Sequence, residues 1–491
     1  MFLVLGMEIL RNQFSLNIDF NPNAKEFYSK MRRLFLIISF LSSLFDNAFS
    51  FHSQDKRQHE SQPIDSKRGE LTNIQSSYSY ESWIPIIPDK IIIGYTTVCD
   101  DTVIKSVVRG VNVVIWTFIS IQSSTLISTE AFHSINNLRT SARVDLNSVN
   151  FPVPIVTGGP DLVCVKKIKQ QLKQLGYNDV LHLVSFGGWN SPHFKLDNQH
   201  FTSKQLYHAW KRYNHQNIFH GFDWDFEGHD NVQSPINYFT KECLDQMGQM
   251  SQMAKNDGYV VTMAPPESYL DFTTPHFSQY VNLTYYPQDK WHPEFQYHGA
   301  NVYAYILAKY GDFVDLISIQ LYESYSHAAY NIEQLGVDPS KYLVRWVNQL
   351  LKNKDKSTSS SPSTIDGHLD PGYFVEFSQV PLIQLPDMFV SIPFTKLVIG
   401  LATNWAQQSN KAVYISPKDV EKAYNHINQN YISMDQNRNS HSKTQNFNGI
   451  RGVMFWCMCK DEVELYEFVS DLNSFLGIRI IAQNTYQLAA E

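Results

Sequence analysis

The chain has 491 residues, 43% hydrophobic and 14% aromatic, enough for one barrel-sized domain with tails. A net charge of −7 without a dense Lys/Arg cluster excludes the electrostatic footprint of a nucleic-acid binder. Five cysteines are too few for a disulfide scaffold, and an odd number leaves at least one unpaired within the chain.

From the N-terminus, Met31-Arg32-Arg33, the apolar run Leu34 to Phe45 and Ala48-Phe49-Ser50 follow the order of a secretory signal. The run is about 12 residues, short of the roughly 20 that cross a bilayer. Secretion is expected, with no stable membrane span after signal removal. Three readings of residues 1–30 stay open: translation from Met31, an unusually long signal, or an uncleaved anchor. Residues 1–50 are thus an N-terminal extension with a signal at 31–50. Residues 51–82, rich in Ser, Gln, Lys, Asp and His, read as a disordered polar linker. The folded domain is placed at 83–478 and a tail at 479–491.

Within the domain, β-branched or aromatic runs predict eight strands: Lys90 to Tyr95, Val111 to Phe118, Val180 to Phe186, Gly221 to Glu227, Tyr259 to Ala264, Phe313 to Tyr322, Leu397 to Ala402 and Gly452 to Trp456. Helical patterns alternate with them. Leu206, Ala209, Trp210 and Tyr213 share a stripe, Ser416-Pro417 opens a helix, and Leu465, Phe468, Val469, Leu472 and Phe475 share another stripe. Met247, Met250 and Met253 read as packing. Residues 353–372 and 433–448 read as loop inserts. Eight strands alternating with helices predict an α/β fold, a closed (β/α)8 barrel with its site at the C-terminal strand ends. Buried or lone thiols are the simplest reading of the cysteines; a Cys99 bridge to Cys457 or Cys459 is the pairing to test. Cys457-Met458-Cys459 is not a metal knuckle, and Asn282-Leu283-Thr284 is a glycosylation acceptor.

The run His220-Gly221-Phe222-Asp223-Trp224-Asp225-Phe226-Glu227 places three carboxylates on one face of a strand and three aromatics on the other. At about 3.3 Å rise per residue, successive acids lie roughly 6.5 to 7 Å apart at Cα. Crowded acids in a poorly solvated place cannot all ionise, so one keeps the proton that a general acid needs. A solvated sheet face and a hard-cation site are the competing readings.

The octapeptide resembles the D-G-x-D-x-D-x-E signature of the family 18 glycoside hydrolases, the chitinases and their relatives. Ser185-Phe186-Gly187-Gly188-Trp189 is similar to that family's S-x-G-G on the third strand, and Met263-Ala264-Pro265 to its methionine-proline turn on the fifth. Gln320-Leu321-Tyr322 is similar to the sixth-strand Q-x-Y, and Trp456 falls where the family has the tryptophan flooring its sugar pocket. The resemblance implies that Glu227 is general acid and then base. Asp225 orients the substrate's acetamido group, Asp223 shares charge with Asp225, and Tyr322 bonds the N-acetyl carbonyl that attacks in place of an enzyme nucleophile. It places Trp456, Gln320, Met263, Gly187, Gly188 and Trp189 at the substrate, with Trp405 and Tyr325 as further stacking candidates. No metal or cofactor is required, a monomer is expected, and the partner is chitin or another N-acetylglucosamine-containing glycan. The abundant aromatics suit sugar stacking as well as core.

The sequence departs from the family at His220, which replaces the first Asp of the signature; at Pro266, which displaces Glu267, given no role; and at Glu323, where relatives carry Asn or Asp. His220 reads as a packed residue or as one that alters pH response. About 50 residues separate the last two strands, so an extra α+β wall domain is not expected, and an open cleft suits endo cleavage. The function implied is a secreted chitinase. The alternatives are an endo-β-N-acetylglucosaminidase on N-glycans and a non-catalytic lectin-like relative.

Overall fold

A computed structural model describes residues 85–478 other than 125–152, 195–200, 230, 232, 282–299, 324–325, 354–370, 409–411 and 437–449. The signal, the linker, the C-terminal tail, the Asn282 acceptor, Tyr325 and most of both loop inserts lie outside the described residues.

All eight expected strands form: β1 (Ile91–Thr96), β2 (Val113–Ser124), β4 (Leu181–Gly188), β5 (Gly221–Phe226), β6 (Val260–Met263), β7 (Leu316–Gln320), β10 (Leu397–Ala402) and β11 (Gly452–Trp456). They pair in parallel in the order β1-β11-β10-β7-β6-β5-β4-β2, and the β1–β2 pairing closes the barrel. Period-2 alternation splits each strand between two apolar layers. Ile91, Ile93, Val113, Ile115, Leu183 and Val398 fill the interior, while Ile92, Val114, Phe222, Trp224, Ile319 and Phe455 face the helices. The barrel core is therefore solid at its N-terminal end, and the polar inward residues gather toward the other.

Helices return the chain between strands and carry their own signals. In α1 (Asp101–Arg109) Asp100 caps the start, accepting from the Thr102 amide, and Gly110 at φ 139° ends it. α2 (Leu162–Gln174) is capped by Asp161, and α3 (Ser203–Tyr213) by a Thr202/Gln205 capping box, with Leu206, Ala209 and Trp210 buried. In α4 (Lys241–Asn256) Met247 and Met250 are fully buried, and the Ser251 hydroxyl accepts from the Trp224 indole at 2.9 Å. α5 (Ala304–Tyr310), α6 (Pro339–Asn353), α7 (Pro417–Gln436) and α8 (Val463–Leu476) complete the layer. The Pro417 start and the α8 stripe are as expected, whereas α7 runs through Gln436 and takes in the start of the second expected loop.

Three strands were not anticipated. β3 (Val153–Gly158) pairs antiparallel with β2 alone; its Pro154 marks an edge strand and hides it from pattern reading. β8 (Gly372–Val375) and β9 (Met388–Ser391) pair antiparallel between β7 and β10, each only four residues long. Among the described residues no strand intervenes between β10 and β11, consistent with a barrel lacking a large inserted wall.

The reading of the cysteines as buried or lone thiols holds only for Cys243, and the bridge from Cys99 to Cys457 or Cys459 that was to be tested does not form. Cys99 bonds Cys164, and Cys457 bonds Cys459; Cys243 is free and buried. Cys99 follows β1 and Cys164 lies in the first turn of α2, so the bridge joins two neighbouring surface turns that the sequence separates by 65 positions. No helix of the described residues is long and apolar enough to cross a membrane.

Candidate active site

Strand β5 brings the three acids inward because Phe222, Trp224 and Phe226 are all buried in the outer layer, which leaves the alternate positions to the barrel interior. Its register sets Asp223 beside Ser185 of β4 and Thr262 of β6, and Asp225 beside Gly187. Gly221 permits the approach of β6 at the strand's start, where a Cβ would lie 1.7 Å from the Val260 carbonyl oxygen.

Asp223 is fully buried and accepts three hydroxyl bonds: Tyr95 at 2.7 Å, Ser185 at 2.7 Å and Thr262 at 2.6 Å. Burial pushes its carboxyl up, and the three donors pull it back. Asp225 accepts from the Gln320 amide at 2.8 Å, and the same amide reaches the Ala264 carbonyl at 2.6 Å. Burial, then Glu227, then Asp223 hold Asp225 well above the ordinary carboxylate range. Glu227, just past the strand end, is buried and hydrogen-bonded to Asp225 and Gln320; burial and then Glu323 raise it strongly too. Asp225 and Glu227 share a hydrogen bond, so their protons come off as a pair, and both carboxyls are displaced upward by burial and by neighbouring like charge.

Tyr322, at the end of β7, is buried within reach of all these charges, and its phenol is held neutral by burial, then Glu323, Asp225 and Glu227. Glu323 beside it is half-buried, and burial lifts its carboxyl to about 7. The half-buried Trp456 has the Phe118 ring stacked beside it at 5.5 Å and the Tyr95 ring tilted at 5.8 Å. Trp405 donates its indole N–H to the Trp456 carbonyl at 2.9 Å and sets its ring edge-on to Tyr322 at 6.2 Å. Trp189, 44% exposed, follows β4 directly.

The structure thus gathers Asp223, Asp225, Glu227, Gln320 and Tyr322 in one buried polar cluster, with aromatic rings above it. Gly187 and Gly188 serve close approach: at φ 113° and 83°, a Cβ on the first would lie 2.3 Å from the Asp225 carbonyl oxygen and on the second 2.7 Å from the Phe118 ring. Met263 is not with the cluster. It pairs in register with Trp224 and is fully buried in the outer layer, because β6 turns Thr262 and Ala264 inward instead.

Sequence reading missed Tyr95, Thr262 and Phe118, which come from three other strands and carry no local signature; Ser185 was legible only as part of a glycine motif. His220 sits at the base of β5, its Nδ1 accepting from the His182 amide at 2.8 Å, and burial holds its imidazole down at about 3. It is neutral across the working range and is part of the strand pairing. Glu267 is buried, accepting from Tyr342 at 2.5 Å and from the Ala328 amide at 3.0 Å. It ties down the turn after β7, as does Asp271, which lies 2.8 Å from His327. Among the described residues no group of three or more His, Cys, Asp or Glu is arranged to hold a metal ion.

No family model matches the chain. No curated protein matches it either. Solved structures do. Several of the similar structures are family 18 chitinases. One from Chromobacterium violaceum is 13% identical, with 81% of this chain and 84% of that chain covered and a TM-score of 0.44. The C-terminal domain of Legionella pneumophila ChiA is 16% identical, with 80% and 99% covered and a TM-score of 0.45. A chitinase from Pseudoalteromonas aurantia is 13% identical, with 78% and 99% covered and a TM-score of 0.41.

Proposed function

We propose that the protein is a secreted, retaining glycoside hydrolase that cleaves β-1,4-linked N-acetylglucosamine polymers through substrate assistance. One observation carries the reading: Asp225 and Glu227, turned inward at the end of β5, are both held well above the ordinary carboxylate range beside the Tyr322 phenol and the Gln320 amide, next to an Asp223 anchored by three hydroxyls. Glu227 gives its proton to the glycosidic oxygen as the bond to the anomeric carbon breaks. The N-acetyl carbonyl oxygen, oriented by Asp225 and Tyr322, forms the new bond to that carbon. The resulting oxazolinium cation lies against the Asp223/Asp225 charge. Glu227, now a carboxylate, takes a proton from water as the water opens the ring, which restores both enzyme and anomeric configuration. The aromatic rings of Trp456, Phe118, Trp405 and Trp189 suit the apolar faces of pyranose rings.

The test is turnover of chitin oligomers and of a high-mannose glycopeptide by the mature protein, beside Glu227→Gln. Hydrolysis of the oligomers is expected, with mixed product lengths for endo cleavage and a loss of at least about 100-fold in kcat for the variant. The alkaline limb of the wild-type profile should lie above the usual carboxylate range. Full turnover by the variant removes Glu227 from its role; glycopeptide cleavage alone moves the substrate to N-glycans; and no turnover of either by the wild type sinks the hydrolase.

A further inference from the structure

The loop after β4 carries a histidine that the chemistry described so far does not use. His193 is 5% exposed, and its Nε2 lies 2.7 Å from the main-chain carbonyl oxygen of Glu227. A carbonyl can only accept, so Nε2 bears the proton and the neutral ring is a donor. The ring is wedged between aromatics, 4.1 Å from the Phe239 centroid and 5.3 Å, edge-on, from that of Phe226. Burial holds its pKa down at about 4, so the donor stays neutral across the range in which a glycosidase of this kind works. The Tyr238 carbonyl also draws on the ring, but Nδ1 makes no hydrogen bond of ordinary geometry.

A second bond runs in parallel. The Asn190 amide donates to the Gly228 carbonyl at 3.0 Å, and the Ser191 amide turns back to Gly188 at 3.1 Å. The two residues that follow the end of β5, Glu227 and Gly228, thus have both carbonyls taken by the loop that begins with Trp189. Ordinary strand pairing cannot do this, because β5 ends at Phe226. Without such partners the segment carrying the acid would be two residues of unanchored backbone at a barrel mouth.

We propose that His193 is a positioning residue: through its Nε2–H bond to the Glu227 carbonyl it sets where the Glu227 carboxyl stands and locks the Trp189 loop to it. The inference rests on the hydrolase reading for its kinetic consequence, though not for its structural one. Displacing the acid by a fraction of an ångström changes its contact with Asp225 and Gln320 and its distance from Glu323 and Tyr322, the ionisable groups that surround it.

The experiment compares His193→Phe, which keeps the aromatic wedge without the donor, with His193→Gln, whose side-chain amide can donate. In each, kcat and KM on chitin oligomers are measured against pH, and the Glu227 carboxyl is titrated by carbon NMR with Glu227→Gln as the assignment. The Phe variant should lose about ten- to a hundredfold in kcat with a small change in KM. Its Glu227 titration should shift by at least about half a unit, and Gln should recover most of both. If Phe does not fold, His193→Asn, too short to reach the carbonyl, takes its place. Unchanged kcat and unchanged Glu227 titration in the folded variant overturn the proposal, as does a Gln variant no better than Phe. A wild type that hydrolyses nothing sinks the hydrolase reading alone, and the carboxyl titration still decides whether His193 positions the acid.

Discussion

Glu323 is the residue whose chemistry the sequence flagged and the structure sharpened. It stands half-buried beside Tyr322 and is the charged neighbour that most raises Glu227, so its own ionisation near 7 changes the field on the acid in the working range. We expect Glu323→Gln to lower the Glu227 pKa, because a like charge no longer opposes ionisation. The alkaline limb of kcat/KM should then move down by about 0.5 to 1 pH unit. A limb that stays in place means that Glu323 does not act on the acid. The opposite lesson comes from His220: its replacement of an acid invited a reading as a pH-responsive group. Burial keeps it neutral to about 3, and its Nδ1 is committed to the His182 amide. Local sequence shows which groups can titrate; their solvation, which decides whether they do, belongs to the packed state.

At the level of elements, the β4–β5 contact sets the geometry of the acids. Gly187 has a left-handed backbone and touches the Asp225 carbonyl so closely that a methyl group has no room. Gly187→Ala is expected to cost about 2 to 4 kcal/mol, read as a lowered urea midpoint, and to reduce turnover in whatever folds. A variant with wild-type stability would mean that the two strands can separate at no cost. The strands themselves were legible because each is a run of β-branched and aromatic residues long enough to stand out. β3, with a proline, and the four-residue β8 and β9 were not, since their pairing is decided by neighbours distant in sequence. Met263 shows the same limit in one residue. Its motif was visible, but a strand's inward face depends on register, and here the Met turns to Trp224 and the helices.

For the whole molecule, three imidazoles make stability depend on pH. His182, His193 and His220 all have depressed folded-state values, burial being the leading cause in each. The folded protein refuses protons that the unfolded chain accepts near 6.5, so stability is full above that pH and is lost as pH falls toward about 4 for His193 and about 3 for His220. Each contributes on the order of 1 kcal/mol per pH unit in that window. The raised carboxyls of Asp225, Glu227 and Glu323 act in the opposite sense, losing stability as pH rises, so the difference between proteins is the quantity to read. His220→Asn should flatten the fall of Tm between pH 6.5 and 4.5 by roughly a third of the histidine contribution; an unaltered slope would show that this imidazole is protonated without penalty. By itself the chain determined the number of barrel strands, the alternation that sends Asp223, Asp225 and Glu227 to one face, and the motif residues at four other strand ends, because periodicity and residue type are local properties. Tertiary structure alone decided that Tyr95, Ser185 and Thr262 meet on Asp223, that Cys99 bonds Cys164, and that His193 grips the Glu227 backbone. Those partners lie on different strands and loops, and only closure of the barrel brings them within hydrogen-bonding distance.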